Sequence, residues 1–181
     1  MKDKKVTLTE LLESRENRVH HQKELIAEFD GVLVSVTLNI PGPVKDSALY
    51  RSAMECGMKR LLQKLEEAVS PEQVLHREIR FLVTGPEGYV ALDSRVNPEM
   101  VKALTVEIEE SSRLGRIFDM DVLTYSDGKL VSISRNFLGG SPRKCLLCGD
   151  DAKVCARSQK HELSDLLREI DSILKESGIN G

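Results

Sequence analysis

The sequence predicts an α+β fold in which a mixed or mainly antiparallel sheet is covered by helices on one side. Apolar residues recur at helical spacing in four long segments and alternate with polar residues in the shorter segments between them. Turn residues join some of the short segments directly, as in antiparallel hairpins. The resulting order is helix, strand, helix, strand, strand, helix, strand, strand, and then a cysteine-rich segment with a last helix.

The first predicted helix covers Thr9 to Phe29. Its apolar residues recur at steps of three, four and seven, at Leu8, Leu12, Val19, Ile26 and Phe29. Arg15 and Gln22 fall on the same stripe, where polar groups are costly unless they are paired or reach a site. Two interpretations stay open. Either the stripe is half-buried and these long side chains extend to water, or they line a binding site.

Residues 32–40 predict a strand with two different faces. One face is apolar and carries Val32, Val34, Val36, Leu38 and Ile40, while the other, mostly polar face carries Leu33, Ser35, Thr37 and Asn39. Such a polar face can line a cleft or meet solvent, and the pattern favours neither. The loop PGPVKDS follows, and Asp46 or Ser47 is expected to cap a helix that runs to about Ala68.

The middle of the chain predicts a strand pair followed by a helix. Residues 79–84 and 89–92 are expected to form strands, joined by a turn at Gly85-Pro86-Glu87-Gly88. Asn97 and Pro98 then begin a helix, because asparagine caps the free amide groups and proline suits the first helical position.

The last third of the chain predicts another strand pair and a closing helix. Residues 117–124 and 130–134 are expected to form a hairpin through Asp127-Gly128, a sequence typical of two-residue turns. An irregular stretch that carries three cysteines comes next. Residues 163–174 then show the spacing of an amphipathic helix.

Composition limits the classes of protein that fit this sequence. Hydrophobic residues make up 40% and charged residues 30% of the 181 residues, as in ordinary soluble domains. No apolar run approaches the roughly 20 residues that span a membrane, and the lysine-containing start lacks the apolar region of a secretory signal. The net charge of −3 argues against a dedicated nucleic-acid binder. We therefore expect a cytoplasmic protein without nucleic-acid or membrane partners.

Asp119 and Asp121 lie in the apolar segment LGRIFDMDVL. On a strand they share one face, with Cα atoms roughly 6.6 Å apart. A divalent cation such as Mg²⁺ offsets the repulsion between adjacent carboxylates and prefers their oxygens. Gly115 and Arg116 precede the pair, where glycine permits close approach of a phosphate and arginine can bind it. The pattern predicts a metal-dependent phosphate site. The alternative is a chance pair, with Gly115 ending a helix and Arg116 solvated.

Three cysteines and a histidine are close in sequence. The spacing Cys145-x2-Cys148-x6-Cys155-x5-His161 includes a step typical of zinc knuckles, and three thiolates with an imidazole suit tetrahedral Zn²⁺. A closed site of this kind would be structural, since it would hold a segment that has little core of its own. Reduced thiols without a metal and a disulfide pair are alternatives that the spacing leaves open.

Several segments resemble, in order along the chain, one enzyme family. SRENRVHHQ, VSVTLNIPGPVKDS, LGRIFDMDV and PRKCLLCGDDAKVCARSQKH are similar to segments of the apo-citrate lyase phosphoribosyl-dephospho-CoA transferases. The resemblance runs from about Leu11 to Leu174. It implies a nucleotidyltransferase-like fold, with a catalytic motif that comprises Gly115, Arg116, Asp119 and Asp121.

The resemblance also implies a reaction. The donor would be 2′-(5″-triphosphoribosyl)-3′-dephospho-CoA, the acceptor a serine on the acyl-carrier subunit of apo-citrate lyase, and the by-product diphosphate. Mg²⁺ or Mn²⁺ on the two aspartates would be the cofactor. The residues expected to bind the donor are Arg15, Arg18, Gln22, Asn39 and Lys45. The alternatives are another metal-dependent nucleotidyltransferase or hydrolase, and a non-catalytic binding or assembly factor built on the zinc knuckle.

We expect residues 1–140 to form the catalytic core and residues 141–181 to form the knuckle and last helix, packed on that core as one domain. The knuckle has a local excess of basic residues, at Arg143, Lys144, Lys153 and Arg157. Acyl-carrier proteins are usually acidic. These residues therefore either steer the carrier toward the site or form an ordinary solvated cluster.

Overall fold

The computed structural model describes residues 4–126, 128–135, 139 and 142–179. Its strands are β1 Val32–Leu38, β2 Val74–Leu82, β3 Gly85–Leu92, β4 Phe118–Ser126 and β5 Lys129–Ser132. Its α-helices are α1 Leu8–Phe29, α2 Ala48–Ala68, α3 Pro98–Glu110, α4 Ala152–Ser158 and α5 Leu163–Glu176. The strands form one sheet in the order β2-β3-β1-β4-β5, and each neighbouring pair is antiparallel. The α+β class is confirmed. Among the described residues no helix is both long and apolar enough to cross a bilayer.

Helices cover both faces of the sheet, which corrects the expectation of helices on one side. One face of β1 packs its valines into a core that α2, α3 and α5 share. The other face meets α1, where Leu25 and Ile26 pack with Leu33 and Tyr89 in a smaller core. The prediction was wrong because it relied on the sequence of β1, whose second face is mostly polar. The apolar side chains that complete this core come from β3 and β4, so the pattern of one strand cannot reveal it.

The helix α1 follows the predicted stripe only in its second half, where Gln22 and Ile26 are buried. Thr7 caps it and forms a capping box with Glu10. The residues of the predicted stripe that are exposed include Leu8, Leu12 and Val19. The buried residues of the helix are Gln22, Leu25 and Ile26. The first half of α1 therefore faces the sheet with polar side chains, and only its last turns join a core.

The β2–β3 hairpin turns earlier than predicted. Val83 and Thr84 form the turn, and Gly85 already pairs with Leu82 as the first residue of β3. The φ angle of Gly85 is +117°, a conformation that residues with a side chain rarely adopt. Glu87 consequently lies within a strand rather than in a turn.

The C-terminal elements follow the prediction with one addition. In α5, the buried Ile170, Ile173 and Leu174 belong to the same core as the sheet. The short helix α4 was not predicted, and it forms part of the cysteine-rich segment 142–161, called the knuckle below. In the β4–β5 hairpin Ser126 pairs with Lys129, as a two-residue turn requires. Asp127 of the predicted turn lies outside the described residues.

The part of β4 that carries the two aspartates is a sheet edge, because β5 pairs only with residues 123–126. The helix α3 covers this edge. The amide of Met120 donates to Oε1 of Glu109 at 2.8 Å, and Nζ of Lys102 donates to the Met120 carbonyl at 2.8 Å. Both charged side chains are buried. They satisfy the backbone groups between the two aspartates and so fix this stretch of strand.

Glu109 also connects the edge of β4 to residues further along the chain. Its Oε2 atom pairs with Arg135 and lies 2.9 Å from Nη2 of Arg143. Burial lowers the pKa of Lys102, and the negative charge of Glu109 acts against that shift. A buried ion without partners costs several kcal/mol, so these charges stabilise one another's burial.

We predict that Glu109→Ala destabilises the protein far more than Glu110→Ala. The first substitution removes the acceptor of the Met120 amide and the shared partner of two arginines, so the free energy of unfolding should fall by about 3–5 kcal/mol. Glu110 is exposed and pairs with Arg135 at 3.1 Å, so its removal should cost less than about 1 kcal/mol. Urea unfolding followed by circular dichroism measures both. Equal losses would contradict the role given to Glu109.

Candidate functional site

A polar cavity of about 210 Å³ lies between the first half of α1 and the end of β1. Asp119 lines it together with four of the five residues predicted to bind the donor, namely Arg15, Arg18, Asn39 and Lys45. The hydroxyl groups of Ser14 and Thr84 form a hydrogen bond of 2.8 Å that ties α1 to the β2–β3 turn. Residues from distant parts of the chain thus converge beside the aspartate pair.

A buried carboxylate fixes one cation of this cavity, and the other two lie close enough to repel each other. Nε of Arg18 donates to Oε1 of Glu87 at 2.8 Å, and the Tyr89 hydroxyl donates to the other oxygen of Glu87 at 2.6 Å. Burial lowers the pKa of Lys45, and the positive charge of Arg15 lowers it further. Crowded cations repel one another, so a polyanion such as a phosphate chain would be stabilised in this cavity.

Glu87 was not predicted as a site residue. It is 2% exposed, and it pairs with Thr37 of β1, whose opposite neighbour on β4 is Asp119. The alternation of Glu87, Tyr89 and Ala91 with Gly88, Val90 and Leu92 is the signal that could have placed it on a strand. The glycines and proline around Glu87 instead indicated a turn.

Asp119 and Asp121 project from the same face of β4, opposite the buried side chains of that strand. They pair in register with Thr37 and Ser35 of β1. The Asp119 side chain is 49% exposed, and Nη2 of Arg143 lies 3.3 Å from its Oδ1. Desolvation, followed by the negative charge of Asp119, raises the pKa of Asp121. Two neighbouring carboxylates on one face of a strand form a donor set that suits a hard divalent cation.

The aspartate pair could supply two carboxylates to such an ion. In the described part of the chain, no third His, Cys, Asp or Glu side chain joins the pair in a group compact enough to hold a metal ion; the cysteine cluster is the group that meets this condition. Mg²⁺ is often held by one or two carboxylates together with substrate phosphates. The neighbouring cationic cavity is where those phosphates would lie.

Two predicted site residues occupy supporting positions. The amide of Gln22 is buried and donates to Oγ of Ser35 at 2.9 Å, directly under α1. Gly115 packs against the end of α3, where an added Cβ would lie 2.1 Å from the carbonyl oxygen of Ile108. This close contact accounts for a glycine at position 115 by packing alone.

Arg116 connects the start of β4 to the knuckle. Its Nη2 atom donates to the carbonyl oxygens of Lys144 at 2.6 Å and Cys145 at 2.8 Å. It lines a second, larger cavity, whose walls also include Arg143 and Lys144. Arg116 therefore fixes the knuckle beside the aspartate pair.

The predicted cysteine cluster is assembled in the structure. The ligand atoms of Cys145, Cys148, Cys155 and His161 all lie within 4.8 Å of one another. Sγ of Cys148 is 3.5 Å from Sγ of Cys155 and 3.2 Å from Nε2 of His161. Zn–S bonds of about 2.3 Å put tetrahedral sulfur ligands about 3.8 Å apart, which fits this spacing. The cysteines are free thiols, so the disulfide alternative is not the arrangement found.

Comparison with known proteins identifies the family of this chain. A family model described as apo-citrate lyase phosphoribosyl-dephospho-CoA transferase matches residues 6–177. A protein of that name in Escherichia coli O157:H7 is 35% identical over 171 residues, which cover 94% of this chain and 90% of the relative. A "probable" transferase of the same name in Streptococcus pyogenes serotype M5 is 33% identical over 170 residues, 93% of this chain and 85% of the relative.

A third relative is longer than this chain. Protein CitXG of Leuconostoc mesenteroides subsp. cremoris is 35% identical over 173 residues, which cover 94% of this chain but 35% of that protein. The match to the family model spans nearly the whole chain, and the aspartate and cysteine motifs both lie inside it. This chain belongs to the apo-citrate lyase phosphoribosyl-dephospho-CoA transferase family.

Proposed function

We propose that this protein transfers the 2′-(5″-phosphoribosyl)-3′-dephospho-CoA group from its triphosphate precursor to a serine of the acyl-carrier subunit of apo-citrate lyase. Family membership indicates the class of reaction. The observation that carries the proposal is that Arg15, Arg18 and Lys45 surround a cavity whose wall includes Asp119. Cationic groups for a triphosphate thus lie beside carboxylates for a divalent ion.

The residues of the cavity have separate tasks in this proposal. Arg15, Arg18 and Lys45 neutralise oxygens of the triphosphate, and Asp119 and Asp121 would hold Mg²⁺ or Mn²⁺. When bound, the ion supplies positive charge that orients the phosphates and stabilises charge on the leaving group. Because buried Glu87 fixes Arg18 from behind, that guanidinium need not reorient as the reaction proceeds.

The chemical step is an in-line displacement. Oγ of the carrier serine attacks the α-phosphorus, the bond from that phosphorus to its β-bridging oxygen breaks, and diphosphate leaves. The serine proton passes to solvent, and the carrier retains the group through a phosphodiester bond. Arg15 and Lys45 stabilise the negative charge that moves onto diphosphate. Positioning and electrostatic stabilisation supply most of the acceleration.

The direct test incubates the protein with Mg²⁺, the triphosphoribosyl donor and the apo-carrier, and then follows carrier mass and diphosphate together. We expect one added group per carrier and one diphosphate per group. Diphosphate release without a gain in carrier mass would indicate a hydrolase instead. Neither product would indicate a non-catalytic factor.

We predict that Asp119→Asn and Asp121→Asn each reduce transfer by about 100-fold or more, since each removes a charge on which the metal site depends. In the unsubstituted protein, Mg²⁺ at a hundredfold excess over its Kd should stabilise the fold by about 2.7 kcal/mol. Both variants should lose this stabilisation but keep their circular dichroism spectrum. Asp171→Asn, at an exposed aspartate of α5, is the control. Near-full activity of either site variant would reject the assignment.

We further propose that Cys145, Cys148, Cys155 and His161 bind one structural Zn²⁺. Four ligand atoms within 4.8 Å of one another would complete a tetrahedral set around Zn²⁺, which would leave no open position for a substrate. The cluster closes the hairpin of the knuckle, in which the Cys145 amide donates to the Asp150 carbonyl at 2.6 Å. The knuckle contributes few core residues, so a metal would supply much of its stability.

Purified protein should therefore contain one zinc per chain by elemental analysis, and a chelator should lower its Tm. Cys148→Ser should lose the metal, because removal of one thiolate opens the tetrahedral set. Cys56→Ser, a change at the half-buried cysteine of α2, should keep the metal. Substoichiometric zinc in freshly purified protein, with a chelator-independent Tm, would support reduced thiols instead.

We also propose that the exposed basic side chains of α4 steer the acidic carrier toward the site. Lys153 and Arg157 are exposed and lie one helical turn apart. Arg143 does not belong to this surface, because its guanidinium is engaged by Glu109 and Asp119. Charges on one exposed helix face act mainly on the rate of encounter.

The double variant Lys153→Glu, Arg157→Glu should raise the KM for the carrier by about tenfold at low ionic strength and leave kcat unchanged. Its dependence on salt should also become flatter. Lys23→Glu, Lys59→Glu changes the net charge equally at exposed sites of α1 and α2 and is the control. A similar rise in both double variants would reject steering by α4.

A further inference from the structure

The larger cavity has a volume of about 540 Å³ and lies between the loop after β1, the knuckle and the start of α5. This volume is typical of small-molecule sites. Part of the lining is apolar and comprises Pro41, Leu146, Ala152, Ala156, Leu163 and Leu166. Such a wall suits the uncharged portion of a ligand.

Cationic side chains also line this cavity, at Arg116 and Lys144, together with Arg143, whose charge is already paired with Glu109 and Asp119. Neutral backbone carbonyl groups hold Arg116, so this contact fixes the guanidinium without neutralising its charge. Glu162 contributes one negative charge to the lining. The combination of excess positive charge and apolar surface suits a phosphate group joined to an extended uncharged chain.

The two cavities adjoin at Asn39, near Asp119. Asn39 lines both of them. Arg143 lines the larger cavity and lies 3.3 Å from Asp119, which lines the polar one. A ligand whose reacting phosphate sits at Asp119 could therefore extend in two directions, with a phosphate chain on one side and a larger group on the other.

We infer that the larger cavity binds the dephospho-CoA part of the donor, while the polar cavity binds its triphosphate. The inference rests on the proposed function, because it divides that donor between the two cavities. The diphosphate of dephospho-CoA pairs with Arg116 and Lys144, and the pantetheine arm lies along the apolar wall. Cys145, Cys155 and His161 also line this cavity, so the cysteine cluster shapes the dephospho-CoA site.

Isothermal titration calorimetry with two fragments of the donor tests this division. Dephospho-CoA probes the larger cavity, and inorganic triphosphate with Mg²⁺ probes the polar one. Ala156→Phe should raise the Kd for dephospho-CoA by at least about tenfold, because the new ring fills the cavity. Arg15→Ala should raise the Kd for triphosphate and leave dephospho-CoA unaffected. Val154→Phe places the same ring on an exposed position of the same helix and should change neither.

Lys144→Glu is a second variant, which leaves the cavity volume open and changes the charge of an exposed lining residue. It should also weaken dephospho-CoA binding by about tenfold through charge reversal. Unchanged affinity in both variants, or no dephospho-CoA binding by the unsubstituted protein, would overturn the inference. A rise in the KM for the carrier alone would also overturn it, because the cavity would then receive the carrier.

Binding and transfer assays of the Ala156→Phe and Lys144→Glu variants separate this inference from the proposed function. Dephospho-CoA binding that depends on Ala156 and Lys144, without transfer to the carrier, would reject the transferase and support the cavity assignment. Transfer that proceeds normally in both variants, with unchanged KM for the donor, would support the transferase and reject the cavity assignment.

Discussion

Glu109 places a negative charge in the interior at the point where β4 lacks a second neighbouring strand and α3 covers its edge. One carboxylate oxygen accepts the Met120 amide and the other meets Arg135 and Arg143. A strand edge with unsatisfied amides is unstable when it is buried, and a buried carboxylate is unstable without donors. Here the Met120 amide is a donor to the Glu109 carboxylate, and the carboxylate is the acceptor that this amide needs. The backbone between the two aspartates is held in place because α3 must lie along this edge.

The polar face of β1 explains why the site forms under α1. Ser35 and Thr37 lie between the two aspartates of β4 and the Glu87–Tyr89 face of β3. A helix packed on such a surface must present hydrogen-bonding groups, since apolar side chains would leave the sheet's polar groups unsatisfied. Arg18 and Gln22 meet this requirement through Glu87 and Ser35. The same constraint leaves a cationic cavity at the end of the strand.

The knuckle completes the site from the opposite side. Arg116 holds it at two carbonyl oxygens, and Arg143 extends from it to Asp119. A short segment with few buried apolar residues gains order from such contacts and from metal ligation. In our proposal the knuckle thus links three tasks, which are metal binding, the wall of the dephospho-CoA cavity and an exposed basic surface for the carrier.

The sequence by itself determined the features that depend on neighbours along the chain. Asp119 and Asp121 share a face because a strand repeats every two residues, and the helix α3 begins at Pro98 because Asn97 caps it. The cysteine spacing likewise predicted the cluster that the structure assembles. Periodicity also reveals a buried face when that face is apolar, and this condition holds for one side of β1.

Only the tertiary structure decided which face of α1 meets the sheet and where Glu87 lies. The contact between Arg18 and Glu87 joins residues 69 positions apart, and the face of α1 that forms it is polar, so apolar spacing pointed elsewhere. Arg143 reaches Asp119 through the fold of the knuckle rather than through any local pattern. Local periodicity reports where apolar groups avoid water, whereas a polar site is defined by partners that only the folded chain brings together.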